Sequence, residues 1–163
     1  MILYILQVVA QVVLGLLYAN ASEWFAHKYV FHVLGRKRKS IFSFHWRRHH
    51  RLSRTNNFFD EDYEKPWGSG KEMLGLLFSV VIHIPLLFVV PIFTCTLFYG
   101  AFNYYHKHRK SHLEPEWAKK HLRWHYEHHM GRDQNKNFCV TRPWFDYVMG
   151  TRRKYRDEEL LTR

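Results

Sequence analysis

The first 21 residues, MILYILQVVAQVVLGLLYANA, carry only Gln7, Gln11 and Asn20 as polar positions. That length is close to the ~20 apolar residues a helix needs to cross a bilayer. The run begins Met-Ile-Leu, without the basic stretch that precedes the core of a secretory signal, so residues 1–24 read as a retained membrane helix. No Gly or Pro interrupts residues 21–33, and the helix is predicted to continue through Glu23 and Trp24 to His32, with Gly35 as its first stop. Residues 36–54 then read as a basic, aromatic loop. TNNFFDEDYEKPWGSG reads as turn and surface loop from its Asn, Asp, Pro and Gly.

A second apolar run covers residues 73–101 and contains Pro85 and Pro91. Each proline removes a backbone donor and breaks or kinks a helix, so the run predicts a hairpin of two short helices within residues 72–105, turning near residues 89–92. Charge agrees with a hairpin. Arg and Lys are dense both before the run (36–54) and after it (107–123 and 152–156), and the positive-inside rule places both segments on the cytoplasmic side. Beyond residue 103 the chain is too polar to span a membrane; a helix is predicted near residues 116–130, followed by a loop ending NFCVTRPWFDYVMGT. The expected fold is all-α and integral to the membrane, one domain over residues 1–163. It has an N-terminal spanning helix, a proline-broken hairpin and a cytoplasmic histidine-rich cap over residues 106–151.

Composition sharpens this picture. Hydrophobic residues make up 47% and aromatics 18%, yet mean hydropathy is -0.40, so the apolar residues are segregated into the runs. A formal charge of +11 alone suits nucleic acid or an anionic membrane surface equally. The apolar runs favour the membrane, and a nucleic-acid partner is not expected. Two cysteines, Cys95 and Cys139, are too few and too dispersed for a disulfide scaffold or a cysteine metal site. The unusual residue is histidine: there are 13, and all but His83 lie outside the apolar runs.

Their spacing is chemical. His27 and His32 sit in HKYVFH; His45, His49 and His50 in HWRRHH; His108 and His112 in HRKSH; His121, His125, His128 and His129 in HLRWHYEHH. On an α-helix, residues three or four apart share a face, so His45/His49, His108/His112 and His125/His128/His129 can each aim imidazoles at one point. Adjacent pairs such as His49/His50 and His128/His129 diverge by about 100°, which lets one member serve each of two metals. The five-residue interval of His27/His32 puts them about 140° apart on an α-helix and suits a helix end or a bulge. Single histidines among Arg and Lys are ordinary surface residues, but this repetition points to metal binding. His83 reads as a packed residue, while His106 and His121 are open between ligand and surface.

In order, EWFAHKYVFH, HWRRHH, YYHKHRKSH, HLRWHYEHH and NFCVTRPWFDYVMGT resemble the fatty acid hydroxylase superfamily, which includes sterol desaturases, C-4 sterol methyl oxidases and lipid hydroxylases. The resemblance spans Glu23 to Thr151, and the order of the boxes with the closing Trp-Phe-Asp…Gly-Thr makes it more specific than any box alone. It implies two iron ions on the cytoplasmic face, held by His27, His32, His45, His49, His50, His108, His112, His125, His128 and His129. Zinc can occupy such a site in a purified sample. It further implies O2 as co-substrate and hydroxylation or desaturation of a lipid such as a fatty acyl chain or a sterol-like molecule. The second box departs from the pattern, with three residues between its first histidine and the pair where many relatives have two. Carotenoid hydroxylases, similarly short, are the alternative subclass, but their third box is longer-spaced and they lack the closing motif. With no residues left for a fused electron-transfer domain, electrons are expected from a separate protein.

Glu23, Glu127 and Asp146, the acidic residues nearest the boxes, and His121 are candidates for further ligands or for carboxylates that orient a ligand through its second N–H. Trp144, Phe145 and Asp146 are expected to hold the cap against the site. A catalytic zinc site takes about three protein ligands, far fewer than ten, which argues against a zinc hydrolase. A basic membrane-surface or nucleic-acid binding protein would explain the charge but has no use for histidines at fixed intervals.

Overall fold

The computed structural model describes residues 1–68 and 70–161, and every regular element among them is helical. Helix α1, Ile2–Phe25, passes without a break into a π-helical segment, Ala26–Leu34, capped by Gly35. By length and apolar character, Ile2–Leu34 and Lys71–Phe88 are both able to cross a membrane. Their apolar side chains face outward: Leu3 is 77% exposed and Phe88 89%. A surface of this kind is stable against lipid rather than water.

The second apolar run folds as α3, Lys71–His83, then a 3-10 turn over Ile84–Phe88 with Pro85 near its start. Val90 leaves the helical region (φ -136, ψ 67), and α4, Pro91–Leu113, starts on proline, where the missing N–H costs nothing. Helix α4 is longer than the apolar run predicts, because no Gly or Pro interrupts residues 101–113; its polar end carries His108 and His112. It packs closely on α1. A Cβ on Gly15 would lie 2.8 Å from Thr96 Cβ, and one on Gly100 would lie 2.9 Å from Ala19 Cβ, so small residues set the approach of the two helices.

The cap contains α2, His50–Thr55, entered through a π-helical turn over His45–His49, and then α5, Pro115–His121, α6, Arg123–Met130, and α7, Trp144–Val148. The expected loop over residues 36–54 is therefore helical from His45 onward, a stretch without Gly or Pro whose histidine face is buried. The helix expected over residues 116–130 breaks at Leu122 (φ -127, ψ 45), which no breaker residue marks.

Phe58, Ala118, Tyr126, Met130, Tyr155 and Leu160 form one apolar cluster of the cap. Trp24, Phe138 and Cys139 form another, with Phe145 against it. Polar contacts strap the closing segment to α1. The Trp24 indole donates to Thr151 Oγ1 at 2.9 Å, Asn20 donates to the Arg142 carbonyl at 2.8 Å, and Glu23 accepts from the Val140 and Thr141 amides and the Thr141 hydroxyl.

Candidate metal centre

The first two boxes lie on π-helical turns, and this explains their spacing. In a π-helix each N–H reaches back five residues, as Gly35 N does to Val30 O at 3.0 Å, so residues five apart stack on one face. His27 and His32 are thereby brought to ring centroids 5.0 Å apart, and His45 and His50 to 4.9 Å. His45 shares its face with His50 rather than sharing one metal-facing point with His49.

Two buried groups result. His27, His32, His45, His50 and His128 form the first, with one nitrogen from each within 4.8 Å of all the others; His49, His108, His112 and His129 form the second by the same measure. His125 joins the second through its Nε2, 3.2 Å from His112 Nε2. The adjacent pairs split as their divergence requires: His50 and His128 serve the first group, His49 and His129 the second.

The outer nitrogens are anchored. In the first group, His27 Nδ1 donates to the Phe138 carbonyl (2.5 Å) and His128 Nδ1 to the Lys136 carbonyl (2.6 Å), while the Gln134 side-chain amide lies 2.6 Å from His50 Nδ1. In the second, His49 Nδ1 donates to Asp60 (2.7 Å), His108 Nδ1 to Glu72 (2.5 Å) and His112 Nδ1 to the Phe58 carbonyl (2.9 Å). Tyr63 donates to the other oxygen of Glu72 at 2.6 Å.

A neutral imidazole whose Nδ1 donates has only a lone pair at Nε2. The lone pairs at His27 Nε2 and His128 Nε2 thus turn inward, 2.9 Å from His45 Nε2 and 3.2 Å from His50 Nε2. Nitrogens bound to one metal at about 2.0–2.1 Å stand about 2.8–3.4 Å apart for right-angle to tetrahedral geometry. In the second group, His49 Nε2, His108 Nε2 and both nitrogens of His129 are buried without a hydrogen-bond partner among the described residues. Inward lone pairs, nitrogen separations of this size and unsatisfied buried nitrogens fit a cation at each group. Burial pushes the imidazoles of His45, His50, His112, His125 and His129 well below their usual pKa, and that of His128 down to about 3, with neighbouring histidines adding to the shift. His49 is also lowered by burial, against the opposing hydrogen bond to Asp60. The rings of His45, His49, His50, His112, His125, His128 and His129 are thus neutral near pH 7, the form that binds metal.

The other sequence candidates lie elsewhere. None of the three suggested carboxylates bonds a histidine: Glu23 pins residues 140–141; Glu127 bonds Arg123, Arg152 and the Tyr155 amide; Asp146 accepts from the Phe138 and Cys139 amides and from Thr151. His121 is exposed beside Trp117, and His83 bonds the Ser79 carbonyl. Trp144 is 45% exposed, whereas Phe145 packs on Trp24 at 5.7 Å. Asp60 and Glu72, which do hold histidines, were not singled out from sequence. Glu72 left one signal, a carboxylate at the mouth of an apolar run, where an unpaired charge is costly.

Beside the centre, a cavity of about 810 Å³ opens between α1, α3 and α4. Glu72 lines it and also bonds His108; Phe31 lines it and stacks on His45 at 4.9 Å. Its remaining wall is mostly apolar, with Leu76, Leu97 and Phe98 among the lining residues.

Searches of curated proteins and of solved structures gave no significant match. The model of the family described as fatty acid hydroxylase matches residues 12–151, which contain both histidine groups and the closing segment. With most of its length matched, the chain belongs to the fatty acid hydroxylase family, whose members are iron-using, membrane-associated oxidoreductases.

Proposed function

We propose that the chain is a membrane-bound di-iron oxygenase that hydroxylates or desaturates a lipid, using O2 and electrons from a separate donor protein. The observation that carries this reading is the pair of buried histidine groups with inward-facing lone pairs. His27, His32, His45, His50 and His128 would hold one iron, and His49, His108, His112, His125 and His129 the other. When bound, the irons supply reduction of dioxygen to an oxidant able to take hydrogen from an unactivated C–H bond. Everything else is the protein's work. The Phe138 and Lys136 carbonyls and the Asp60 and Glu72 carboxylates fix ring orientation and tautomer. The cavity between α1, α3 and α4 takes the apolar substrate and excludes water from it.

In this reading α3 and the first half of α4 form a membrane hairpin that turns at Val89 and Val90. It returns the chain to the face on which the basic segments lie, so the centre sits at the cytoplasmic surface. Metal analysis of purified protein, together with lipid analysis of cells with and without the gene, tests the proposal. Two iron atoms per chain and a gene-dependent hydroxylated or desaturated lipid are expected. A preparation active on lipid but without bound metal would overturn it.

A further inference from the structure

The cavity has a charged mouth. Lys107, on the polar part of α4, and Arg142, in the closing segment, both line it, with Asn103 one turn before Lys107. The mouth lies where the membrane helices join the cap, since Asn20 of α1 holds the Arg142 carbonyl and Lys107 Nζ reaches the Thr141 carbonyl at 3.4 Å. Among the described residues that carbonyl is the only hydrogen-bond partner of the Lys107 ammonium, and the Arg142 guanidinium makes no hydrogen bond or ion pair. Glu23, which also lines the cavity, already accepts from the amides of Val140 and Thr141 and from the Thr141 hydroxyl. Two like charges with no carboxylate in ion-pair contact among the described residues, lining an apolar cavity beside helices apolar enough to cross a membrane, are complementary to an anion carried on a hydrocarbon chain.

We infer that Lys107 and Arg142 form a headgroup site that selects a substrate with an anionic head, its apolar chain lying in the cavity between α1, α3 and α4. The inference rests on the lipid-oxygenase reading for the role of the bound molecule, but its test is binding and not turnover. Loss of the preference described here would leave the oxygenase reading intact, and absence of turnover would leave the preference measurable.

The test uses purified, metal-loaded protein in neutral detergent, with intrinsic tryptophan fluorescence as the readout and the carboxyl group of the fatty acid ionised. Oleate and oleyl alcohol share a chain and differ in head charge; lysophosphatidate and monoolein supply the corresponding phosphate and neutral pair. Wild type is expected to bind at least one anion about tenfold or more tightly than its neutral partner, a preference that shrinks as salt is raised. A preference for oleate assigns a carboxylate head, and one for lysophosphatidate a phosphate head. In Lys107→Ala/Arg142→Ala the preference should fall to within about twofold while the neutral ligand binds as in wild type, which shows the cavity intact; Lys107→Arg should retain it. If the double variant does not fold, Arg142→Gln, at an exposed position, should still reduce the preference severalfold. Equal wild-type affinity for charged and neutral ligands, or an undiminished preference in the variants, would overturn the inference.

Discussion

The two histidine groups are drawn from shared boxes yet are held in different ways. In the first, the outer nitrogens of His27 and His128 meet backbone carbonyls and that of His50 meets the Gln134 amide. In the second, His49 and His108 meet the carboxylates of Asp60 and Glu72. A carboxylate draws the Nδ1 proton more strongly than a carbonyl does, so the imidazole behind it is a better electron donor to a metal. The difference teaches that the two sites are unequal: the second should hold its metal more tightly, and the first should exchange it more readily.

Removing a ligand gives the largest effect. His128→Ala and His49→Ala should each abolish activity, the former emptying the first group and the latter weakening the second. Metal analysis distinguishes the two, while His83→Ala should keep wild-type metal content. Full metal content in both ligand variants would break the assignment of either group.

Acid comes next. Burial depresses the histidine pKa values in the fold, so between about 6.5, the unfolded value, and the folded values, about 3 for His128, the unfolded chain binds more protons. Stability of the metal-stripped protein should then be constant above about pH 6.5 and fall as pH drops through this window. Thermal melting in detergent across pH checks the sign. At His49 the bond to Asp60 opposes the burial shift.

The carboxylates test the comparison directly. Asp60→Asn and Glu72→Gln should weaken metal retention in the second group by about 10- to 100-fold and leave the first unchanged, while Gln134→Ala should weaken the first by less. Chelator competition measures all three. Equal losses in Asp60→Asn and Gln134→Ala would mean that the two groups are equivalent despite their surroundings.

Much of this was legible in the sequence, because the signals are local. The apolar run of α1 and the stop at Gly35 follow from residue type alone, and the adjacent pairs His49/His50 and His128/His129 announce two centres through their divergence on a helix. The π-helical turn of the second box was not legible. Periodicity of 3.6 residues sends His45 to the side of His49, whereas one extra residue per turn sends it to His50; the five-residue interval in both boxes is the trace of this. Nor were Asp60 and Glu72, which meet their histidines from 11 and 36 residues away along the chain, pairings created by the packing of the 3-10 turn over Glu61–Glu64 and of α3 against α4.

Asp146 should have the smallest effect on metal and bears on the first group alone. It is fully buried and accepts from the Phe138 amide at 2.9 Å, the Cys139 amide at 2.9 Å and the Thr151 hydroxyl at 2.7 Å. It touches no histidine, but the Phe138 residue it holds presents the carbonyl that orients His27. In Asp146→Asn one accepting oxygen becomes an NH2 group and a buried donor loses its partner, a cost of about 1–3 kcal/mol, so the melting temperature should fall. Being one bond further from the metal than Asp60, the change should weaken metal retention in the first group by less than the roughly tenfold floor for a direct partner, with the second group untouched. Chelator competition on the variant, read beside its melting curve, separates the two effects. Equal losses from both groups would show that Asp146 supports the cap as a whole, and that the carbonyl of Phe138 is not its route to His27.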